Sequence, residues 1–185
     1  MKIAIAAFTR RGALLAKKTA DVLAADGNEV WVNTIEKFAA SVGVTPFSAG
    51  LGNWTRECFA QMDALLFVGA CGIAVRAIAP FVSSKDKDPA VVVMDEGGEH
   101  VISLLSGHLG GANSLVLRIS ALMGAKPVIT TATDVNGRFS VDSWAKANGL
   151  FITSLKAAKA VSAAILEGEE VGFFSELPWE GPLPA

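Results

Sequence analysis

Short apolar runs alternate with segments of helical periodicity along most of this chain, and no other feature constrains the fold as strongly. The segments between the runs carry apolar residues at the spacing of one helix face. Strands that alternate with helices in this way build a largely parallel sheet with helices on both faces. The sequence therefore predicts a doubly wound α/β fold. Its clearest predicted strands are KIAIAAF from Lys2, EVWVN from Glu29, ALLFVG from Ala64 and KPVITT from Lys126.

The stretch from Asp88 to Leu105 departs from this alternation. DPAVVVMDEGGEHVISLL holds two β-rich runs around the short polar segment DEGGE. Glycine and aspartate supply the φ values that tight hairpin turns need. The stretch predicts one β-hairpin, and this turn is the better explanation of Asp95 and Glu96, which are kept only as weak acid/base candidates.

The pattern restarts after a polar turn around residues 135–139, which predicts a domain boundary. We expect residues 1–135 to form the main α/β domain. Residues 136–185 are expected to form a small α/β extension, or a partial central domain, with a proline-rich tail that ends loosely. The alternative is that this region extends the same sheet. Its runs VDSWAKANGL, FITSL, KAAKAVSAAILEGE and EVGFFS predict helix, strand, helix and strand.

Composition excludes several classes of function. The 185 residues are 51% hydrophobic and 18% charged, which is typical of a compact globular protein, and the net charge of -2 disfavours nucleic acid or an anionic membrane as the main partner. No apolar run approaches the roughly 18 residues that cross a bilayer, so we expect a cytoplasmic protein. Two cysteines and two histidines without metal-type spacing predict neither a disulfide framework nor a protein-bound metal.

Four strand-to-helix junctions combine glycines, hydroxyls and helix starts. In open parallel sheets, ligands bind beyond the carboxyl ends of the strands, where free backbone N–H groups attract anions. Each junction alone is explained by ordinary helix capping, but together they predict one cleft that binds an anion. Because the P-loop pattern is absent and GxGxxG is incomplete, a carboxylate or a lone phosphate is favoured over a nucleotide. The junctions are FTRRG at 8–12, GACG at 69–72, SGHLGG at 106–111 and TTATD at 130–134.

Two side chains near these junctions suggest chemistry. Arg76 lies one helical turn after Gly72, so its guanidinium could grip a carboxylate in two places, although it could equally extend into solvent. His108 is expected in the first turn of a helix, where the positive end of the dipole favours a neutral imidazole that can act as a base. The alternative is a partly exposed residue without a role. Lys85 lies in the charged loop SSKDKDP, for which a solvated surface connection is the better single explanation.

The run from Val68 to Gly137 resembles the N-terminal region of the cobalamin biosynthesis protein G family. It carries GIAVR, DPAVVV, LLSGHLGGAN and VITTATD in that order, and the flanking regions resemble the family more loosely. The resemblance implies a cobalt-precorrin-5A hydrolase of the anaerobic route to vitamin B12, which opens the δ-lactone of the macrocycle with release of acetaldehyde. The implied substrate is a flat tetrapyrrole fringed with acetate and propionate groups. Cobalt would enter within this substrate, so no separate cofactor is expected.

The chemistry of lactone hydrolysis, applied to these motifs, predicts roles for single residues. His108 is the expected base, Arg76 the electrophilic group, and Asp134 the group that orients water or substrate. Expected substrate contacts are Gly69, Gly72, Ser106, Gly107, Gly110, Gly111, Asn113, Thr130, Thr131 and Lys85.

Two other readings stay open. Family members usually continue into a further C-terminal domain, so the chain could be a corrinoid-binding module that needs a separate partner domain for catalysis, and it could form a homodimer. A generic nucleotide-binding domain is the weaker alternative.

Overall fold

The computed structural model describes residues 1–84, 87–176 and 178–181, and the chain divides into two compact units. The first unit is Met1–Val128 and the second is Ile129–Ala185. The division therefore falls before the polar turn at residues 135–139 that suggested a boundary in the sequence. No helix in the described part of the chain is long and apolar enough to span a membrane.

The first unit is built on a seven-stranded sheet with the strand order β3-β2-β1-β4-β5-β6-β7. The first five strands run parallel to one another, β6 is antiparallel to β5, and β7 is parallel to β6. Strand order reverses between β1 and β4, which is the switch point where ligands bind in doubly wound sheets. The predicted fold class is confirmed. The strands are β1 Lys2–Ala7, β2 Glu29–Thr34, β3 Thr45–Pro46, β4 Ala64–Val68, β5 Ala90–Met94, β6 His100–Leu105 and β7 Lys126–Val128.

Helices cover both faces of this sheet, and β4 and β5 are therefore buried at every position. Successive strand residues point to opposite faces, so Phe67 and Val93 pack with Trp54 of α3 and Ala74 of α4. On the other face, the Thr19 hydroxyl of α1 contacts the Met94 sulfur, and α5 packs beside α1. The helices of this unit are α1 Arg10–Ala25, α2 Glu36–Val42, α3 Gly50–Gln61, α4 Cys71–Ile78 and α5 Ala112–Met123.

The predicted hairpin forms between β5 and β6, and it reverses the direction of the chain. We call the edge where β1, β4 and β5 end the carboxyl edge, and the edge where they begin the amino edge. Because Leu105 pairs with Val91, β6 ends at the amino edge. A five-residue strand such as β5 is roughly 17 Å long, which separates the two edges. The register shift around Leu104 is a β-bulge that places Leu104 and Leu105 together against the apolar core.

The second unit is helical in its described residues, whereas the sequence predicted an α/β extension. The predicted strands FITSL and EVGFFS do not form there, and their aromatic residues Phe151 and Phe174 are 90% and 85% exposed. Aromatic packing takes the place of strand pairing here. The rings of Trp144 and Phe173 pack edge to face with their centroids 5.3 Å apart. The helices are α6 Ala132–Val135, α7 Val141–Ala147 and α8 Leu155–Leu166.

The described part of the tail, residues 178–181, is anchored rather than loose. The side-chain amide of Asn148 donates to the Glu180 carbonyl at 3.1 Å and accepts from the Glu180 N–H at 2.7 Å. The rings of Trp179 and Phe173 pack edge to face with their centroids 5.2 Å apart. The prediction of a loose tail is therefore wrong for these residues, because a side-chain amide can pair with both polar groups of an extended backbone.

Candidate functional site

The loops after β1 and β4 meet at the carboxyl edge and form the switch-point crevice. Helix α1 begins there, and the hydroxyl of its N-cap Thr9 accepts the Gly12 N–H at 2.9 Å. A Cβ on Gly12 would lie 3.5 Å from the Val68 carbonyl oxygen and 3.1 Å from the Thr9 hydroxyl. The distance to Val68 is ordinary van der Waals contact, so the tight distance is the one to Thr9, and Gly12 makes room for the N-cap side chain of its own helix.

The start of α4 forms the other wall of the crevice. Gly69 has a φ of 153° and a Cβ there would be 3.1 Å from the Phe8 ring, so both its conformation and its space require glycine. The N-cap of α4 is Ala70, whose side chain cannot cap the helix. The first N–H groups of α4 therefore have no side-chain cap and can donate hydrogen bonds to a ligand anion. Gly69 and Gly72 lie at this edge, as the sequence predicted.

Two exposed arginines in the first turn of α1 are missing from the predicted site. Arg10 and Arg11 occupy the positive end of the helix dipole, where acidic residues are favoured and a basic residue loses a few tenths of a kcal/mol. The Arg11 guanidinium lies 3.9 Å from the place where a Cβ on Gly97 would be, so it extends to the β5–β6 turn. The paired arginines directly after a strand, in FTRRG, are the signal that could have identified them.

Arg76 and Gly72 lie together, as their spacing indicated. Nη1 of Arg76 donates to the Gly72 carbonyl oxygen at 3.1 Å, which draws the guanidinium back toward the start of α4. A Cβ on Gly72 would lie 3.2 Å from that nitrogen. The guanidinium is thus hydrogen-bonded to the backbone of its own helix, and the Arg76 residue remains exposed to solvent.

Asp95 is used by the hairpin turn. Its carboxylate accepts backbone N–H groups from Gly97 at 2.8 Å, from Glu99 at 3.4 Å and from His100 at 2.5 Å. Partial burial acts to raise the pKa of Asp95, but these three donors and the nearby His100 ring outweigh it, so the pKa lies below its usual value. The turn explanation of DEGGE is confirmed by these contacts.

The segment SGHLGG is a loop, whereas the sequence predicted the first turn of a helix. Helix α5 begins only at Ala112, and its N-cap Gly111 has a left-handed φ of 90°. Residues 107–110 form turns between β6 and α5. The helix-dipole argument for His108 is therefore wrong, since this residue precedes the helix.

The expectation of one shared cleft is also wrong. Because β6 runs antiparallel to β5, the loop that follows β6 lies at the amino edge, while Gly72 lies at the carboxyl edge. The hairpin alone explains why His108 lies at the amino edge of the sheet and Arg76 at the carboxyl edge. The first unit therefore presents two candidate sites, the switch-point crevice and the amino-edge turn formed by residues 106–111.

The amino-edge turn is tightly packed and strained. Ser106 is the one non-glycine residue with a positive φ, 58°, in the described ranges, and its buried hydroxyl has no hydrogen-bond partner among them. A Cβ on Gly110 would lie 2.3 Å from the Ser106 Cβ. Buried Asn113 accepts from the Ser103 hydroxyl at 2.6 Å, and its N–H donates to the Gly107 carbonyl at 2.9 Å. Four of the predicted substrate contacts, at positions 106, 107, 110 and 113, thus shape the turn itself.

The predicted residues of TTATD lie in the second unit. Thr131 is the N-cap of α6, and its hydroxyl donates to the Asp134 carboxylate, while Thr130 is exposed. This contact joins two side chains of one short helix, and the Thr131 side chain does not cap the helix backbone. Lys85 lies outside the described residues. Across the described ranges, no three histidine, cysteine, aspartate or glutamate side chains gather as a metal site would require.

Comparison with known proteins places the sequence among cobalamin biosynthesis proteins. The family model "Cobalamin synthesis G N-terminal" matches residues 53–134, and "Cobalamin biosynthesis central region" matches residues 139–185. The cobalt-precorrin-5A hydrolase of Salmonella typhimurium is 43% identical over 182 residues, which cover 98% of this chain and 49% of that protein. The cobalt-precorrin-5A hydrolase of Priestia megaterium is 34% identical over 189 residues, with 98% and 50% covered.

The chain thus spans about half the length of the curated relatives it matches. A crystal structure described as a cobalamin biosynthesis protein G homologue from Sulfolobus solfataricus superimposes with a TM-score of 0.57 at 21% identity. It covers 96% of this chain and 51% of the other. At that identity the superposition supports the fold alone.

Proposed function

The chain belongs to the cobalamin biosynthesis protein G family, whose N-terminal and central regions it carries, and from this premise we propose that it acts in the hydrolysis of cobalt-precorrin-5A. The observation that carries the proposal is the 43% identity across 98% of the chain with a hydrolase of that name. In the proposed reaction, water cleaves the acyl–oxygen bond of the δ-lactone, which gives a carboxylic acid and leaves a hydroxyl group on the two-carbon fragment. Loss of the hydroxyl proton then breaks the carbon–carbon bond between this fragment and the macrocycle. The fragment leaves as acetaldehyde, and the macrocycle keeps the electron pair and takes up a proton. The free cysteines Cys58 and Cys71 fit a reducing compartment, so we propose a cytoplasmic location.

We propose that the substrate binds at the switch-point crevice. Its acetate and propionate groups suit the guanidinium groups of Arg10 and Arg11, since arginine pairs with carboxylates through two parallel hydrogen bonds. The uncapped N–H groups at the start of α4 offer further donors. The cost of two arginines at the positive end of α1 is then explained by the ligand they bind. Arg76, held near the same helix start, is the proposed clamp for a further carboxylate.

One observation favours a second location for the reaction. Ser106 combines an unfavourable backbone conformation with a buried hydroxyl that has no partner among the described residues, and such strain concentrates at functional sites. If the lactone binds at the amino-edge turn, His108 is the proposed base. If it binds in the switch-point crevice, His108 lies roughly 17 Å from the chemistry and the base is another group.

Acetaldehyde release from cobalt-precorrin-5A tests the function and the location together. We expect Arg10→Ala/Arg11→Ala to raise KM about tenfold or more, because two charge-assisted contacts are lost. His108→Ala should keep normal turnover if the reaction takes place in the crevice. Lys18→Ala is the matched control, since it removes an exposed positive charge farther along the same helix.

The opposite pattern would move the reaction to the amino-edge turn. That pattern is normal KM in the arginine variant and lost release with intact binding in His108→Ala. Tight binding of the substrate by the wild-type chain without acetaldehyde release would instead support a corrinoid-binding module that needs a partner domain. Absence of both binding and release would contradict the proposed function.

A further inference from the structure

A groove on the surface of the first unit lies between α3 and α4. Its volume is about 400 Å³, which is within the range of small-molecule sites. The side chains behind it belong to the apolar core, since Leu51 and Ala77 pack against the buried cluster beneath the sheet. The uncharged lining consists of Leu51, Gly52, Ile73, Ala77, Pro80 and Phe81.

Arg76 is the one charged residue that lines this groove within the described part of the chain. Its Nη1 donates to the Gly72 carbonyl oxygen at 3.1 Å, which keeps the exposed guanidinium near the start of α4. The remaining N–H groups of its fork have no partner among the described residues. An arginine beside an apolar wall favours a ligand that carries a carboxylate on an apolar body. The carboxylate pairs with the guanidinium and the apolar body packs on the wall, so a ligand that lacks either part binds more weakly.

We infer that the groove between α3 and α4 binds a single pyrrole ring edge of the substrate, with the ring against Ile73 and Phe81 and its alkanoate group on Arg76. This inference rests on the proposed function for the identity of the ligand. It goes further by assigning a subsite for one ring and by giving Gly72 the role of a positioning residue. The groove is suited to one ring with its side chain, and a nucleotide is disfavoured because a single cation does not balance several phosphate charges.

Gly72 gives an independent handle on this subsite. A Cβ at this position would lie 3.2 Å from Nη1 of Arg76, which is the far end of a flexible side chain, so Gly72→Ala should fold normally but displace the guanidinium. The variant keeps the positive charge and changes only where it lies. It therefore separates a positioned clamp from a diffuse electrostatic attraction.

Two probes that differ only by a carboxylated side chain test the groove without the full substrate. Indole-3-propionate and 3-methylindole are titrated into the purified chain with methyl labels on Leu51 and Ile73, observed by NMR. We expect indole-3-propionate to shift these methyl signals with a dissociation constant of about 1 mM, and 3-methylindole to bind about tenfold more weakly. Arg76→Ala should remove this discrimination, Gly72→Ala should reduce it, and the exposed-arginine control Arg138→Ala should leave it unchanged.

Equal affinity for the two probes, unmoved methyl signals, or discrimination that survives Arg76→Ala would overturn the groove as a carboxylate site. Competition by cobalt-precorrin-5A then separates the two proposals. Displacement of indole-3-propionate supports the substrate subsite. Acetaldehyde release without displacement overturns the subsite and leaves the proposed function intact. Where neither release nor displacement is seen, the subsite is overturned, and the proposed function is contradicted as well if direct titration shows no binding of cobalt-precorrin-5A anywhere on the chain.

Discussion

The switch-point crevice and the amino-edge turn differ in whether their polar groups are exposed or buried. The crevice has the exposed Arg10 and Arg11 and, at α4, a helix start without a side-chain cap, so its polar groups face outward. The amino-edge turn has buried Asn113, crowded Gly110 and a strained Ser106, so its contacts are mostly internal. The difference teaches that glycine-rich loops serve two purposes in one small sheet. At the crevice they leave a helix start open at the carboxyl edge, and at the turn they make room for the protein's own side chains.

The largest expected effect breaks the packing of the amino-edge turn. In Gly110→Ala the new Cβ would lie 2.8 Å from the Ser106 carbonyl oxygen and closer still to its Cβ, so the backbone must move. We expect the free energy of unfolding to fall by about 3 kcal/mol, as in other overpacked sites. Urea unfolding measures this change. The control Gly52→Ala adds a methyl group into open space within α3 and should be neutral or slightly stabilising, and a loss under about 1 kcal/mol in Gly110→Ala would contradict the packing argument.

Substitutions at Ser106 test whether the backbone of the same turn is strained. Ser106→Gly relieves the positive φ and removes the buried hydroxyl, so we expect the free energy of unfolding to rise by about 1 kcal/mol. Ser106→Ala removes the hydroxyl but keeps the strain, and it should gain less. Thermal unfolding compares the two variants. A clear loss of stability in Ser106→Gly would show that the hydroxyl has a stabilising partner.

At the carboxyl edge, Asp95 stabilises the hairpin turn, and this contribution to the free energy of unfolding depends on pH. Its pKa in the folded state is below the usual value near 3.8, so its stabilising effect is present above that pH and is lost as pH falls through the folded-state pKa. We expect Asp95→Asn to reduce the free energy of unfolding by about 1 kcal/mol at neutral pH, since the side chain is partly exposed. Denaturation from pH 7 down to pH 2 should show the difference from wild type shrinking at the acid end. A constant difference would remove the carboxylate from the explanation.

The smallest expected effect is on the free energy of unfolding, which the two arginines of the crevice lower. Arg10→Ala/Arg11→Ala removes two cations from the positive end of α1, so stability should rise by about 0.5 kcal/mol at low salt and by less at high salt. Thermal unfolding at two salt concentrations measures it, with Lys18→Ala as the control. Unchanged or lower stability would mean that the arginines also contribute to folding.

Local patterns were sufficient for most elements of the first unit. The alternation of KIAIAAF and ALLFVG with helical segments predicted parallel strands because apolar periodicity is a property of neighbouring residues. DEGGE predicted its turn for the same reason, and the spacing of Gly72 and Arg76 placed the two residues one helical turn apart. FITSL and EVGFFS failed because a strand needs a partner strand, and no neighbouring residue reveals whether one is available.

By itself, the sequence determined the fold class, the hairpin, the family and the glycine-rich junctions, since each depends on spacing along the chain. Only the tertiary structure decided which junctions share an edge. A hairpin reverses the direction of one strand and carries everything after it to the opposite edge of the sheet, and this moved His108 away from Arg76. The tertiary structure also joined Arg11 to the β5–β6 turn and formed the groove between α3 and α4, because contacts between distant segments depend on how strands are ordered in space.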